Sequence, residues 1–162
     1  LVSEIQQFYY REARLKDRQQ YRAWMDLLTD DIHYWMPARI QRYRKDERAP
    51  SIYDSAYYND DKTDLDRRLK RLETGTCWTE DPRTRTAHLV HNVEVEHTAD
   101  ANEYRVYSLS VVYRNMNEDE EHTLYCHRED LLRRVQGALR IARRLLTVQQ
   151  NVFLNKSLNV FP

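Results

Sequence analysis

The chain has 162 residues, with 26 basic and 26 acidic side chains, a formal net charge of +0, 41% hydrophobic and 32% charged residues. This is a globular composition, more charged than the roughly 25% average. Only 2 Gly are present, so loops that cradle phosphates with clustered glycines are excluded. Balanced charge removes the electrostatic basis of nucleic-acid binding, and no apolar run approaches the ~20 residues needed to cross a bilayer.

Ser3 and Gln6 have the spacing of a capping box, and Ile5, Phe8, Tyr9, Glu12 and Leu15 follow at helical intervals, predicting a helix over about 3–16. Asp17 is placed to cap a second helix with Tyr21, Trp24, Leu27 and Leu28 on one face, ended by Asp30-Asp31. Ile32-His33-Tyr34-Trp35-Met36 is aromatic, β-prone and stopped by Pro37, which predicts a short strand. Residues 39–60, with a charge cluster from Arg42 to Arg48, read as an exposed loop or arm. A third helix is predicted over about 61–73 from Leu65, Leu69 and Leu72, with Gly75 at its C-cap.

From Thr86 the period changes to two, over about 86–98, 103–116, 121–135 and 139–150, with short polar turns between. In the last strand Leu139, Ile141 and Arg143 are expected on one face, and Arg140, Ala142 and Arg144 on the other. Connections this short join antiparallel strands, because parallel ones need crossovers of a dozen residues or more. The fold class is therefore α+β: three N-terminal helices packed on a long curved antiparallel sheet, the nuclear-transport-factor-2-like cone, in a single domain over 1–162. That fold hosts enzymes and non-catalytic association domains alike, so function must be argued from side chains.

Leu1–Ile5 hold no basic segment before an apolar stretch, so no signal peptide is expected, and the missing initial Met points to residues upstream. Cys77 and Cys126 are too few for a disulfide framework, which suits a reducing cytoplasm. The cluster His88-Leu89-Val90-His91, with His97 beyond, suggests metal binding. On one strand, however, 88 and 91 point to opposite faces, while 91 and 97 share a face about 20 Å apart at strand rise. His122 and His127 also oppose, and Cys126-His127 is too short a spacing for one ion. An acid–base site inside the cone would draw on His33, Tyr34, Asp54 and His88; the competing reading is a half-buried strand whose polar tips reach backbone partners. No serine sits in a nucleophile elbow, and Cys77, beside Trp78, has no evident histidine partner.

Arginine is the remaining signal, 21 against 5 lysines, together with 12 tyrosines. Arg67, Arg133, Arg140, Arg143 and Arg144 stud the third helix and last two strands. Both residue types are favoured at interfaces, where the guanidinium fork pairs and stacks. With Trp78, these arginines are the candidate subunit-contact residues, and internal ion pairs are their other use.

Four blocks then stand in order: Tyr21-x-x-Trp24 with Asp30-Asp31-Ile32-x-Tyr34-x-x-Pro37; Trp78-Thr79-Glu80-Asp81-Pro82 through Thr84-Arg85 to His88-Leu89-Val90-x-Asn92-Val93; Arg128-x-Asp130-x-Leu132-Arg133; and Ile141-Ala142-Arg143-Arg144 through Gln150-Asn151 to Asn155-x-x-Leu158-Asn159-x-Phe161. With these spacings the sequence resembles the small (beta) subunit of Rieske-type aromatic-ring-hydroxylating dioxygenases, from Phe8 to the end. Gln149 departs from the acidic residue expected there. The resemblance implies a non-catalytic structural subunit, assembled with a catalytic alpha subunit, commonly as an α3β3 hexamer. The alpha subunit holds the Rieske 2Fe–2S cluster and the mononuclear iron, and the complex adds O2 to aromatic rings with NAD(P)H-derived electrons. No cofactor is expected in this chain, where the two cysteines lie far apart and no Cys-x-His pair occurs. The alternatives are a stand-alone cavity isomerase or dehydratase of the same fold, and a homo-oligomeric association domain.

Overall fold

The computed structural model describes residues 1–38, 48–49, 51, 54–74, 84–116, 120–150 and 160–162. Helix α1 spans Val2–Asp17 and buries Ile5, Tyr9 and Ala13 on one stripe. It begins one residue before Ser3, with Leu1 as N-cap and no side-chain cap bond, so the expected capping box does not form: Ser3 already lies inside the first turn. Helix α2 is a short piece, Tyr21–Met25, with Gln20 rather than Asp17 at its N-cap position and no side-chain cap bond.

Leu28, expected to continue that helix, instead opens strand β1 (Leu28–Pro37). The reason is tertiary: β1 pairs in parallel with the last strand at Leu28↔Ile141, and the Ile141 amide donates to the Leu27 carbonyl at 2.8 Å. Strand β2 (Ala56–Asp60) pairs antiparallel with β1 inside the stretch expected to be a loop. Five residues, too few to show a period, are held there by Tyr58 and Asp60, which point inward. Helix α3 (Lys62–Glu73) carries a complete capping box between Asp61 and Asp64 and buries Leu65 and Leu69. Gly75, its expected C-cap, and most of the Arg42–Arg48 cluster fall outside the described residues.

Strands β3 (Arg85–His97), β4 (Glu103–Met116), β5 (Glu120–Val135) and β6 (Ala138–Val148) form the expected antiparallel meander. Gln136 and Gly137 both take positive φ, 52° and 83°, the pattern of the two-residue turn that matches strand twist. The sheet order is β2-β1-β6-β5-β4-β3, and the parallel β1–β6 pair makes it mixed rather than wholly antiparallel. All three helices contribute to one hydrophobic cluster on the inner sheet face: Ile5 and Tyr9, Trp24 and Met25, Leu65 and Leu69 pack with Tyr34, Val106, Leu132 and Leu146. The cone expected from the sequence is present.

Two bulges decide which side chains enter it. Asn92, at φ 53°, sits where the β3–β4 register slips between His91 and Glu94; Asn is among the few residues that accept this conformation. His91 therefore faces out, while His97 lies on the face of Tyr104, its ring 5.7 Å from that tyrosine's though the residue stays exposed, contrary to the expectation that they share a face. In β6 the register slips between Arg143 and Ile141, so Leu139 and Ile141 are buried first and Ala142, Arg144 and Leu146 thereafter. The expected faces of β6 hold only up to Ile141, since an extra residue reverses alternation.

Candidate functional site

The centre of the cone is charged. Glu12 and Lys16 project one turn apart from α1, Arg128 and Asp130 from the inner face of β5, and Arg144 from β6 directly opposite Asp130. All five are at most 1% exposed. Arg144 grips two carboxylates at once: Nε and Nη2 donate to Asp130 at 2.9 and 2.8 Å, and Nη1 and Nη2 donate to Glu12 at 2.5 and 3.0 Å. Arg128 Nη2 donates to Asp130 at 3.1 Å, and its guanidinium lies 4.5 Å from the centre of the Tyr9 ring. The Trp24 indole N–H donates to Glu12 at 3.1 Å. Lys16 has the loosest place, 3.5 Å from Glu12.

Burial alone would raise the carboxyl groups, but Arg144, Lys16 and Arg128 outweigh it and hold Glu12 well below the usual range. Asp130 is lowered likewise, its burial overcome by Arg144 and Arg128. Lys16 goes the other way: burial, helped by repulsion from the two guanidiniums, pulls it down to about 7 against the attraction of Glu12. Neutralising a buried cation is the ordinary response when its counter-charges are already engaged.

The last described residues close the cone. Phe161 packs its ring 4.8 Å from Trp24, 5.7 Å from Tyr21 and 5.8 Å from Tyr58. The main-chain oxygens of Val160 and Pro162 accept from the Tyr58 and Tyr34 hydroxyls, each at 2.7 Å. His88 lies between this segment and α1. Its Nδ1 is 2.6 Å from Asp17 and its Nε2 is 3.2 Å from the Phe161 oxygen, and Asp17 also accepts from the His88 amide. Both ring nitrogens face acceptors, and a neutral ring donates only once. Burial, and then Lys16, lower the His88 pKa.

The sequence candidates separate accordingly. Arg144 cannot be a subunit-contact residue: it is fully buried and bound on every side by its own chain, because the β6 bulge turns it inward. Arg143, on the other face, is exposed, and Arg140 is half-buried. Arg133 pairs with Asp31 and Glu103, and Arg67 with Asp64 one turn before it. Trp78 and Cys77 fall outside the described residues. Of the acid–base set, His33 points outward to Asn59, Asp54 pairs with Arg48 away from the core, and only Tyr34 and His88 enter the cone, each engaged with the closing segment.

Among the described residues no group of three or more His, Cys, Asp or Glu could hold an ion. Cys126 is wholly buried, and burial pushes its thiol up to about 12, far from the thiolate that ligation needs. An open groove of about 550 Å³ between α2, β1 and α3 is lined by Arg22, Asp26, Asp30, Lys62 and Asp66, but its charges pair with one another, Arg22 with Asp66 and Lys62 with Asp30.

Sequence reasoning missed the buried roles of Glu12, Lys16, Arg128 and Asp130. The available signal was Glu12 standing within an otherwise apolar helical stripe.

Comparison with known proteins places this arrangement. A profile of the family described as Ring hydroxylating beta subunit matches residues 11–155. Over 165 aligned residues the chain is 36% identical to the benzene 1,2-dioxygenase subunit beta of Pseudomonas putida, covering 99% of this chain and 88% of that one. It is 33% identical to the biphenyl 2,3-dioxygenase subunit beta of Rhodococcus jostii (strain RHA1), with the same coverage. A chain from naphthalene 1,2-dioxygenase with indole bound in its active site has the same fold, with a TM-score of 0.90 at 23% identity over 100% of this chain and 86% of that one. A cone braced at its centre by its own charges, and matched along nearly its whole length to these subunits, belongs to the ring-hydroxylating beta-subunit family.

Proposed function

We propose that the chain is the structural beta subunit of a bacterial aromatic-ring-hydroxylating dioxygenase, acting as one domain that holds catalytic alpha subunits in register. The observation that carries this reading is the likeness to benzene and biphenyl dioxygenase beta subunits over 99% of the chain. In it, the Rieske cluster and mononuclear iron that activate O2 lie on the alpha subunit. Electrons come from NAD(P)H through separate redox proteins, and the assembly is an α3β3 hexamer in the cytoplasm.

The geometry supports the role from the other side of the sheet. Leu89, Val111 and Tyr125 stand in register across β3, β4 and β5 on the face away from the helices, with Leu89 44% and Tyr125 47% exposed. A contiguous apolar row on an open face marks an interaction surface, and tyrosine is a favoured anchor there. Arg140 and Arg143 are assigned to the same contacts, with Arg133 and Arg67 at the rim.

Co-expression with an alpha subunit tests this. The two chains should co-elute, all iron should follow the alpha subunit, and replacing Leu89 and Tyr125 together by Glu should release a folded beta chain. Stoichiometric iron in the isolated chain would overturn the structural reading. An intact complex carrying both substitutions would overturn the choice of face.

A further inference from the structure

We propose that the aromatic chamber at the mouth of the cone is an aryl-binding site with hydrogen-bond donors for acyl oxygens, which the chain fills with its own Val160–Pro162 segment. The occupant is bound as a ligand would be. Phe161 is 3% exposed and meets three aromatic rings within 6 Å. Each of the three main-chain oxygens lies within hydrogen-bond distance of the chamber wall: Val160 accepts from Tyr58, Pro162 from Tyr34 and, at 3.5 Å, from Arg144, and the Phe161 oxygen is 3.2 Å from His88 Nε2. A few convergent polar groups in an otherwise aromatic enclosure are the ordinary make-up of a small-molecule site.

The walls also have contacts that do not involve the occupant. Trp24 is pinned by its indole bond to Glu12, and its ring meets the Tyr34 ring edge-on at 6.3 Å. Tyr34 in turn meets Tyr58 at 5.3 Å. The Arg68 guanidinium sits 4.4 Å from the centre of the Tyr58 ring, itself held by Asp60. His88 is fixed by Asp17, and Arg144 by Asp130 and Glu12. A chamber braced from behind keeps its shape when emptied, and an apolar cavity that cannot collapse takes up a ring of matching size, as one of about 150 Å³ does with benzene. The ligand class is an unsubstituted aryl group with a carbonyl three bonds from the ring, the spacing that Phe161 itself presents.

The test uses the full chain with Phe161→Ala and toluene, an aryl probe one methyl larger than the ring this substitution removes. Toluene should bind saturably, with a Kd of about 1 mM or tighter, quenching tryptophan fluorescence and raising the melting temperature, while the unsubstituted chain shows no saturation. A folded variant that takes up no toluene overturns the proposal, as does equal binding by the unsubstituted chain. Should Phe161→Ala not fold, a chain ending at residue 159 takes its place, since it removes the occupant and leaves every wall residue unchanged; it should bind toluene saturably, and failure to do so overturns the proposal too. The donor half is tested with a chain ending at residue 159, which should bind 3-phenylpropanamide about tenfold more tightly than toluene, the gain of one to two net hydrogen bonds. Equal affinities overturn that half.

Discussion

Replacing Arg144 by Met keeps an aliphatic side chain of similar reach and removes the charge that ties α1 to the sheet. Its nitrogens lie 2.5–3.0 Å from Glu12 and Asp130, which sets the charge centres about 4 Å apart. Each pair is then worth about 4 kcal/mol at an effective dielectric constant of about 20. Against that gross attraction stand the guanidinium's desolvation and its repulsion with Arg128 and Lys16, which the substitution relieves. Removing one partner of a buried pair nets a loss of about 3–5 kcal/mol, because the carboxylates stay buried with less to bind them. That is a large share of the 5–15 kcal/mol that holds a typical domain together. Urea unfolding followed by tryptophan fluorescence reads it as a lower midpoint at unchanged slope. Arg143→Met, one residue away on the exposed face, is the control and should stay within about 0.5 kcal/mol. Combining Arg144→Met with Glu12→Gln should cost less than the sum of the two, by about 0.5–3 kcal/mol. Equal losses for Arg143→Met and Arg144→Met, or additivity with Glu12→Gln, would refute the cross-brace.

Lys16 gives stability a pH dependence of definite sign. With its folded pKa drawn from 10.5 to about 7, the unfolded chain holds one proton more than the folded chain between those values, so stability rises with pH through the window and falls as pH drops through it; below about 7 both forms are charged and the penalty is complete. Between pH 7 and 9 the gain reaches about 2–3 kcal/mol, and Lys16→Met should abolish it; an unchanged pH profile in the variant would show that Lys16 is not the titrating group. At the start of α3, Asp61→Ala removes a cap bond of 2.9 Å to the Asp64 amide and should lower stability by about 1 kcal/mol, read as a midpoint shift; no measurable shift would mean that tertiary packing alone holds that turn.

What could be read from the residues follows from how each element earns its place. The meander was legible because β4 and β5 alternate over fourteen and sixteen residues, long enough for period two to outweigh any local exception. Strand β2 was not, since Ala56–Asp60 owes its extended form to pairing with β1 and shows no pattern of its own. Leu28 looked helical beside Leu27 because helix propensity is a weak prior, and the parallel pairing with β6 overrode it. The charged centre was hidden for a different reason. Composition treats Glu12, Lys16 and Arg128 as surface residues, and only the fold shows that their charges meet.

The arginine excess shows how far a composition argument reaches. A bias of 21 Arg to 5 Lys suggests surfaces made to be covered, yet Arg22, Arg48, Arg67, Arg68, Arg128, Arg133, Arg134 and Arg144 all make ion pairs within their own chain. Inside the cone the preference has a geometric cause. Arg144 must reach two carboxylates with paired donors, and Arg128 must lie over a tyrosine ring while donating to Asp130; a planar fork suits both tasks better than the point charge of an ammonium. Lys16 makes the contrast within the same cluster, since its point charge finds one carboxylate at 3.5 Å and its pKa falls. Among the described residues Arg140 and Arg143 make no such ion pair, and they stand on the strand whose bulge parts them from Arg144. Counting by twos past Ala142 assigns Arg143 to the inside and Arg144 to the outside. One extra residue in β6 exchanges them, and with them the brace of the cone and the charge left exposed.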